Sequence, residues 1–379
     1  MAKSKFNNVK IVGIKTVVPE KYIDIDDEIQ YFENNPKKLA RTKKMVGFGR
    51  RHVLEEGCTV VDLCEQAAKE LIDKLKIDKD KIEAVVMVNQ SPDYLHPASS
   101  AIIHGKLGLN KKCATLDLGL GCSGYVYGLW MVHSLISSGA VKNVLLLAGD
   151  SPSQHSDRRN RLVNQIFGDA GSATYLEYTE KENTAYFNLG TDGTGWDRII
   201  APASAKRLPL QSDICDKEIT DTNGNVWKLN DTIIHGQDVF NFTLEVAPKN
   251  IKDVMEFANK TIEEIDYFAI HQANKQIVES VAMKSDIPEG KYSAETFSKF
   301  GNNSTTSVAT VVCDQLKDKN INRLLFSAFG VGLSWASAII YFKNVYNGGI
   351  SYYKAPKDMP SRKEQIEYWI KQFKGENNE

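Results

Sequence analysis

Several features that would mark a membrane, secreted or nucleic-acid-binding protein are missing from this sequence of 379 residues. No run approaches about 18 uninterrupted apolar residues, which argues against a membrane-spanning helix. The first 15 residues contain no apolar core of a secretion signal. The formal net charge is −1, so no overall field attracts nucleic acid or an anionic membrane. We therefore expect a cytoplasmic protein without a membrane span and without a nucleic-acid partner.

Cysteine is sparse and scattered, and no two of the six cysteines form a CxxC pair. Clustered cysteines would indicate a disulfide framework or a structural metal site. We therefore expect free thiols, a reducing compartment and no bound metal. The six are Cys58, Cys64, Cys113, Cys122, Cys215 and Cys313.

Strand-like and helix-like apolar patterns alternate along this chain, which is 42% hydrophobic and 25% charged. Strands are predicted at residues 9–18, 82–89, 114–118, 143–148, 173–178, 265–270, 324–328 and 335–342. Helices are predicted at residues 60–75, 98–107, 123–136, 239–258 and 275–285. Repeated alternation of this kind predicts an α/β layered fold with a largely parallel sheet.

The predicted elements form two similar halves and a tail. Residues 1–179 make an N-terminal half and residues 180–345 a C-terminal half, with a C-terminal extension at residues 346–379. Corresponding strand ends of the two halves would meet at a central cleft, where open α/β sheets bind ligands. The polar stretch at residues 180–232 predicts turns and short strands, and it is the place we expect for an insertion or a lid.

The tail carries the signature of a short amphipathic helix. Asn347-Gly348-Gly349 is expected to end the strand pattern, and Ser361 with Glu364 has the form of a capping box. The residues Ile366, Trp369, Ile370 and Phe373 fall on one helical face. We predict a helix docked on the body of the protein, because such a stripe more often packs on a core than on a membrane or a partner.

Cys122 lies at the junction of a predicted strand and a predicted helix. The turn contains Gly119, Gly121 and Gly124, whose missing side chains would lift the cysteine toward a cleft. The helix N-terminus would favour the thiolate and lower a pKa of about 8.5 in a free peptide. Cys122 is therefore a candidate nucleophile, although most free cysteines are simply small buried hydrophobic residues.

His271 and Asn302 are candidates for the groups that such a nucleophile needs beside it. A thiolate attacking an acyl group requires donors for the developing oxyanion, and a carbon nucleophile requires stabilisation of a carbanion. His271 stands between a predicted strand and a predicted helix, as Cys122 does, and Asn302 lies in a glycine-led turn. Taken singly, each also fits a structural role in a hydrogen bond or a turn.

Together these motifs resemble the thiolase superfamily, and specifically the 3-oxoacyl-[acyl-carrier-protein] synthase III (ketoacyl synthase III) family. The resemblance covers most of residues 9–342, and several ordered motifs are more specific than any one alone. The matching motifs are Gly121-Cys122-Ser123-Gly124, IFGDAG at residues 166–171, GQDVF at 236–240, HQAN at 271–274, Gly301-Asn302 with Ser304, Ser307 and Val308, and FGVG at 329–332 with Trp335.

The resemblance implies a thiolase-like five-layer αβαβα fold of two similar halves, assembled as a homodimer. Cys122 would take an acyl group from an acyl-CoA thioester, and the backbone amides of Cys122 and Gly332 would form the oxyanion hole. His271 and Asn302 would hydrogen-bond the carbonyl of a malonyl extender and hold the enolate left by loss of carbon dioxide. The extender would be malonyl-acyl carrier protein or malonyl-CoA, and no cofactor is implied beyond coenzyme A thioester as substrate.

Several positions bear on the substrate. Arg161 matches a coenzyme-stacking arginine of the family, although DRRNR at residues 157–161 also fits an exposed charged loop. Asn274 completes the HQAN motif and is a further candidate for substrate binding. Gln276 and Asn241 stand where the family has an arginine and a lysine, which weakens the case for the usual carrier protein.

His96 falls where a phenylalanine of the family crosses the dimer interface and floors the acyl pocket. A polar group at this position fits a primer other than plain acetyl, and it equally fits a local hydrogen bond. The sequence does not rank these two interpretations.

The leading interpretation is a decarboxylating, cysteine-dependent condensing enzyme in a specialised acyl pathway. One alternative is an acyltransferase that moves the acyl group from Cys122 to an amine or a hydroxyl. Another is a non-catalytic subunit that pairs with an active partner. Retention of Cys122, His271 and Asn302 favours the condensing enzyme over both, and a synthase catalysing an aldol step is disfavoured because no glutamate stands in a convincing acid position.

Overall fold

The computed structural model describes residues 2–161, 163–203, 205–211, 217–222 and 224–374. Two mixed β-sheets and the helices packed on them organise these residues. Within these ranges, no helix is both long enough and apolar enough to cross a membrane. Cys215, one of the six cysteines, lies outside them.

The first half of the chain alternates strands and helices. Its strands are β1 (Ala2–Phe6), β2 (Val9–Pro19), β3 (Tyr22–Asp24), β4 (Arg50–His52), β5 (Ala84–Val88), β6 (Ala114–Leu118), β7 (Asn143–Asp150) and β8 (Ala170–Tyr178). Its helices are α1 (Pro36–Val46), α2 (Val60–Leu75), α3 (Ser99–Leu107) and α4 (Gly124–Ser137), with 3₁₀ turns at Ile25–Phe32, Lys79–Lys81 and Pro152–His155.

The second half continues the alternation. Its strands are β9 (Ala185–Thr191), β10 (Ile199–Ile200), β11 (Glu218–Thr220), β12 (Val226–Lys228), β13 (Ile233–Ile234), β14 (Tyr267–Ile270), β15 (Arg323–Gly330), β16 (Ser334–Tyr341) and β17 (Tyr346–Tyr353). Its helices are α5 (Gly236–Ala258), α6 (Lys275–Lys284), α7 (Glu295–Phe300), α8 (Ser307–Gln315) and α9 (Arg362–Lys374), with 3₁₀ turns at Gly193–Gly195 and Ser304–Thr306.

The two large sheets repeat one strand order. The six-stranded sheet runs β17-β2-β8-β7-β5-β6, and the five-stranded sheet runs β1-β9-β16-β15-β14. Strands β9, β16, β15 and β14 therefore correspond to β2, β8, β7 and β5. In each sheet the outermost strand beside β2 or β9 comes from the opposite end of the chain, so β1 and β17 are exchanged between the halves.

The structure has five layers, because neighbouring residues of each strand point to opposite faces of its sheet and pack against different helices. Val85 of β5 points to α2 and α3, whereas its neighbour Val86 points to a central layer formed by α4 and α8. In the second sheet, Phe326 of β15 faces this same central layer, and Leu325 faces α5 and α6. Helix α4 is apolar on most of its surface because sheets cover it on two sides. The predicted αβαβα arrangement is thus confirmed.

The prediction of a largely parallel sheet is wrong. Strand pairs β17–β2, β7–β5, β5–β6 and β14–β15 are parallel, whereas β2–β8, β8–β7, β1–β9, β9–β16 and β16–β15 are antiparallel. Strands β15 and β16 are joined by only three residues, which permits an antiparallel hairpin and no parallel crossover. Apolar periodicity reports burial and carries no information on strand direction.

Two further strands differ from the sequence prediction. Residues 180–232 contain β9, a seven-residue strand of the five-stranded sheet, as well as the expected short strands. Asn347-Gly348-Gly349 does not end the strand pattern, because β17 continues through it and pairs with β2 across a register shift between Asn347 and Ile350. A bulge accommodates residues that a regular strand would exclude.

Helix α9 forms where the sequence of the C-terminal tail predicts a helix. The Ser361 amide donates to Glu364 at 2.8 Å and the Glu364 amide donates to the Ser361 hydroxyl at 3.3 Å, which completes the capping box. The expected burial of the apolar stripe is wrong, since no residue of α9 is buried. On this helix, Trp369 contacts Tyr94 of the body edge-on, at 6.1 Å between ring centroids.

A buried ion pair fixes the segment before α1 against the body. Arg51 donates through both terminal nitrogens to the Glu28 carboxylate at 2.7 Å, and Nη2 also donates to Asn164 Oδ1 at 3.0 Å. The side chains of Arg51 and Glu28 are only 4% and 6% exposed. Removing one partner of such a pair leaves an uncompensated buried charge.

We expect Glu28→Ala to lower the free energy of unfolding by about 3–5 kcal/mol, because the Arg51 charge would stay buried without a counter-ion. Asp26→Ala is the matched control, since Asp26 pairs with Lys43 at the surface and its side chain is 61% exposed. That control should cost less than about 1 kcal/mol. Urea unfolding followed by circular dichroism measures both, and equal losses would refute the assignment of a structural role to the buried pair.

Candidate active site

Cys122, the predicted nucleophile, lies in the turn between β6 and α4. Cys122 is 8% exposed and follows the end of β6 by four residues. A Cβ added at Gly330 would lie 2.7 Å from Cys122 Sγ, so only glycine leaves room for the thiol there. Ser123 and Ser334 join their hydroxyls at 2.7 Å, which ties the start of α4 to the turn after β15.

His271 follows β14 and is 1% exposed. Its backbone amide donates to the Ser327 carbonyl at 2.9 Å, and its ring contacts Phe329 edge-on at 5.4 Å between centroids. Nδ1 is buried and has no hydrogen-bond partner among the described residues. Burial lowers the pKa of His271 to about 3, so the imidazole is neutral at physiological pH.

Asn302 is held by backbone hydrogen bonds in the loop before α8. Its amide donates to the Ile166 carbonyl at 2.9 Å, and its carbonyl accepts from the Gly168 amide at 3.2 Å. Side-chain Oδ1 accepts from the Ser304 amide at 2.9 Å. This contact occupies the acceptor of the side chain and leaves its Nδ2 hydrogens as the donors available to a ligand.

A single cavity brings the three predicted catalytic residues together. Cys122, His271 and Asn302 all line it. Its apolar wall is formed by Ile166, Phe167, Ile199, Ile200, Ile234, Val239, Ile277, Phe329 and Val331. A mostly apolar cleft with a few convergent polar groups is the usual form of a small-molecule site. Within the described ranges, no group of three or more His, Cys, Asp or Glu residues could hold a metal ion.

The expected lowering of the Cys122 pKa is wrong. Burial raises the pKa of this thiol to about 11, and the nearby Asp150 carboxylate raises it further. A hydrogen bond from the Val331 backbone acts in the opposite direction and favours the thiolate. The position before α4 is as predicted, but burial of Sγ is the largest influence on the pKa of Cys122 and raises it.

Asp150 is a residue of the site that the sequence interpretation missed. It ends β7, lines the cavity and is 2% exposed. Its Oδ1 accepts from the Gln90 amide at 2.6 Å, and its Oδ2 accepts from the Thr305 hydroxyl at 2.6 Å. Burial raises the Asp150 pKa, and these donors oppose that rise. A charged residue at the end of a continuous apolar strand was the signal that could have identified it.

Thr305 extends this network to the nucleophile turn. Its Oγ1 lies 3.0 Å from both the Leu120 and the Gly121 carbonyl oxygens, immediately before Cys122. The hydrogen bonds of Asp150 and Thr305 thereby connect the end of β7, the turn before Cys122 and the loop that carries Asn302. These contacts fix the backbone before Cys122 relative to the loop that carries Asn302.

The predicted substrate-binding residues lie in different surroundings. Asn274 lines the cavity, but its Oδ1 caps α6 by accepting from the Ile277 amide at 2.8 Å. Arg161 does not line the cavity, and it donates to Asn225 Oδ1 at 3.0 Å and to the Tyr31 carbonyl at 3.4 Å. His96 is exposed and also lies outside the cavity lining. Gly332 belongs to the turn between β15 and β16, and its oxyanion-hole role stays a prediction.

Replacing Asp150 by asparagine should lower the Cys122 pKa by about one unit, because a buried negative charge that opposes thiolate formation is removed. The rate of Cys122 alkylation by iodoacetamide between pH 6 and 11, followed by peptide mass spectrometry, measures this shift. Asp73→Asn removes an exposed carboxylate on α2 and should leave the profile unchanged. A higher or unaltered Cys122 pKa in Asp150→Asn would contradict the electrostatic assignment.

Comparison with known proteins agrees with this geometry. Residues 116–193 match the 3-oxoacyl-[acyl-carrier-protein] synthase III family, and residues 255–342 match the C-terminal domain of the same family. A putative 3-oxoacyl-[acyl-carrier-protein] synthase 3 of Campylobacter jejuni is 37% identical over 356 residues, which is 94% of this chain and 100% of that protein.

Other relatives extend the match. A beta-ketoacyl-[acyl-carrier-protein] synthase III of Campylobacter curvus is 30% identical over 89% of this chain and 98% of its own. The crystal structure of a 3-oxoacyl-(acyl-carrier protein) synthase from Burkholderia xenovorans LB400 has a TM-score of 0.85 at 29% identity, covering 93% of this chain and 99% of that one. The chain therefore belongs to the 3-oxoacyl-[acyl-carrier-protein] synthase III family of acyltransferases.

Proposed function

We propose that this protein catalyses a decarboxylative Claisen condensation between an acyl primer, carried on Cys122, and a malonyl thioester. The observation that carries the proposal is the convergence of Cys122, a neutral His271 and the amide of Asn302 on one largely apolar cavity. Family membership supports the same chemistry. We also propose that the product serves a specialised acyl pathway, which the altered positions Gln276 and Asn241 support.

The first half-reaction would transfer the primer to the enzyme. Cys122 Sγ attacks the carbonyl carbon of an acyl-CoA, and the C–S bond to coenzyme A breaks. The proton lost by Cys122 leaves with the coenzyme A thiolate, so no net charge accumulates. Backbone amides of Cys122 and Gly332 would hold the transient oxyanion, as the resemblance implies.

The second half-reaction would form the carbon–carbon bond. A malonyl thioester loses carbon dioxide, and the electron pair of the broken bond becomes an enolate. Neutral His271 and Asn302 Nδ2 would donate to the enolate oxygen, because both can donate without accepting a proton from the substrate. The enolate carbon attacks the acyl group, and the Cys122 thiolate is released. Burial strengthens each of these hydrogen bonds.

The carrier of the malonyl group is proposed as either acyl carrier protein or coenzyme A. Arg161 lies in the loop before β8 and would meet the coenzyme A portion of the primer donor, as the resemblance implies. Asn274 would contact substrate from the start of α6, where it lines the cavity.

Free thiols at Cys58, Cys64 and Cys313 support the cytoplasmic location that we propose.

We further propose that the enzyme is a homodimer. Strand β6 is the end strand of the six-stranded sheet, with β5 as its partner, and Ala114, Thr115 and Leu116 are exposed. An edge strand with exposed apolar side chains is a ready template for pairing with another chain. A second copy paired at β6 would also approach His96, whose exposure in one chain supports a role in the partner's acyl pocket.

Incubation with a panel of acyl-CoA thioesters should add one acyl group to the protein, detectable by intact-protein mass spectrometry. The adduct should be absent from Cys122→Ser and present in Cys313→Ser, which removes a buried thiol outside the cavity. The acyl mass that accumulates identifies the primer. Failure of every thioester on the folded protein would count against coenzyme A donors.

His271→Ala and Asn302→Ala should each lower the rate of carbon dioxide release from malonyl thioesters by about 10²–10³-fold, because each removes a donor to the enolate. Acylation of Cys122 should change far less in both variants, since that step does not use these donors. The two rates are compared by carbon dioxide release and by intact mass. Acyl transfer to an amine or a hydroxyl without carbon dioxide release would favour the acyltransferase alternative.

A further inference from the structure

The hydroxyl of Ser304 is in contact with the sulfur of Cys122. Ser304 Oγ lies 4.0 Å from Cys122 Sγ, within the range of a hydrogen bond to sulfur. Both residues line the cavity, and Ser304 is 7% exposed. The reaction proposed above uses Cys122, His271 and Asn302 and leaves this buried hydroxyl without a part.

Ser304 holds a backbone conformation that serine rarely adopts. Its φ is +46°, in the left-handed region that glycine and asparagine enter at lower cost. Its amide donates to Asn302 Oδ1 at 2.9 Å, and its carbonyl accepts from the Ser307 amide. Both backbone groups are therefore occupied, and the hydroxyl is the group that Ser304 offers to the cavity. Strain of this kind is retained at functional sites.

The same hydroxyl also faces the carboxylate of Asp150. Burial raises the pKa of Asp150, and a hydrogen bond from Ser304 is one of the contacts that oppose this rise. The carboxylate has other donors, since Oδ1 accepts from the Gln90 amide at 2.6 Å and the Ser91 hydroxyl at 3.4 Å, and Oδ2 accepts from the Thr305 hydroxyl at 2.6 Å. A hydroxyl has one hydrogen to donate. Turning it from the carboxylate to the sulfur leaves Asp150 hydrogen-bonded at both oxygens.

Negative charge on Cys122 would meet neutral donors in this cavity. Within the described ranges, no lysine or arginine lines it. Burial lowers the pKa of both lining histidines, His155 and His271. Burial raises the pKa of Cys122, and hydrogen bonds from the Val331 backbone and the Ser304 hydroxyl oppose that rise. A thiolate that forms here therefore depends on hydrogen-bond donors rather than on a counter-ion.

We propose that Ser304 is a further catalytic residue, whose hydroxyl donates a hydrogen bond to Cys122 Sγ while the sulfur bears negative charge. The inference rests on the condensation proposed above and deepens its first half-reaction. While Cys122 is protonated, its S–H donates to Ser304 Oγ and the hydroxyl hydrogen points to Asp150. When the thiolate forms, the hydroxyl turns to the sulfur. Ser304 keeps its own proton throughout, so the proton of Cys122 still leaves with the coenzyme A thiolate.

A purely structural role for Ser304 predicts a different response to substitution. Glycine takes a φ of +46° without strain, so Ser304→Gly should preserve the turn and its backbone contact with Asn302. If the turn were all that mattered, Cys122 would keep its reactivity in this variant. If the hydroxyl acts on the sulfur, the folded variant loses reactivity. Ser304→Ala removes the same hydroxyl and keeps the Cβ.

Alkylation of Cys122 by iodoacetamide between pH 6 and 11, followed by peptide mass spectrometry, tests the contact without an acyl substrate. Ser304→Gly and Ser304→Ala should both raise the Cys122 pKa and slow alkylation at pH 8 about threefold or more, because the thiolate loses a donor. Ser285→Ala is the matched control, since it removes a buried serine hydroxyl outside the cavity lining, and it should leave the profile unchanged. Thermal melts followed by circular dichroism confirm that the variants are folded.

A double variant removes the titration of Asp150 from the comparison. The Cys122 pKa should be higher in Asp150→Asn with Ser304→Gly than in Asp150→Asn alone, because the hydroxyl acts on the sulfur directly. An equal or lower pKa in the double variant would overturn the proposal. So would an unchanged profile in Ser304→Gly, or a shift of the same size in Ser285→Ala.

Acylation and carbon dioxide release distinguish this role from that of Asn302. Both Ser304 variants should slow acylation of Cys122 by acyl-CoA about threefold or more. Carbon dioxide release from malonyl thioesters by the unacylated protein should stay within about twofold, because the enolate donors are retained and the amide of residue 304 still holds Asn302 Oδ1. Undiminished acylation would overturn the proposal. If no thioester acylates the wild type, the proposed function fails, and the alkylation profile still decides whether Ser304 acts on the sulfur.

Discussion

The hydrogen bonds that connect Asp150, Thr305 and the backbone before Cys122 hold the two halves of this protein in register at the cavity. Asp150 ends a strand of the first half, and Thr305 lies in the 3₁₀ turn directly before helix α8 of the second. Their contact at 2.6 Å is buried, so its loss would leave polar groups without water to replace it. Asn302 stands three residues before Thr305 and is thereby placed relative to Cys122. The duplicated layers supply the scaffold, and this junction sets the distance between the two predicted catalytic residues Cys122 and Asn302.

The central layer explains why these contacts are so well protected. Helices α4 and α8 each leave the cavity and run between the two sheets, where both faces meet apolar side chains. The helix starts are therefore at the edge of the core, close to the residues that line the cavity. Cys122 and Asn302 are presented by the backbone just before these starts, so their positions are fixed by the packing of whole helices. Sites built on rigid elements in this way hold their geometry closely.

The sequence predicted the elements of the core well, because burial on one or both faces leaves a periodic pattern. Helix α2 begins and ends at the predicted residues, and its Thr59–Asp62 capping box marks the start chemically. Strands β1, β9 and β17 escaped prediction for different reasons. β1 is exposed and lysine-rich, β9 lies in a polar region, and β17 contains a bulge at two glycines. Strand direction and the exchange of β1 and β17 depend on tertiary pairing, which no local pattern encodes.

The three predicted catalytic residues share one cavity, and their roles stay predictions, whereas the predicted direction of the Cys122 pKa shift is wrong. Motif spacing identified Cys122, His271 and Asn302, because each ends a strand or occupies a tight turn next to a helix. The Cys122 pKa was expected to fall, and it rises because the degree of burial follows from layers that are distant in sequence. Asp150 was missed for the same reason, since its partners lie 60 and 155 positions away. His96 is exposed and lies outside the cavity lining, so its role in an acyl pocket stays a prediction.

A raised thiol pKa is compatible with a nucleophile that reacts only in the presence of its substrate. An exposed thiolate would be open to oxidation and alkylation, whereas buried Cys122 stays protonated at neutral pH. In the proposed reaction, the Val331 backbone hydrogen bond and the start of α4 would stabilise the negative charge that develops on sulfur or on the oxyanion. Burial also keeps the His271 imidazole neutral. In the proposed reaction, this neutral ring would donate a hydrogen bond to a carbonyl oxygen. Burial thus keeps Cys122 and His271 uncharged at neutral pH, and the same low polarity would strengthen the hydrogen bonds that the proposed reaction uses.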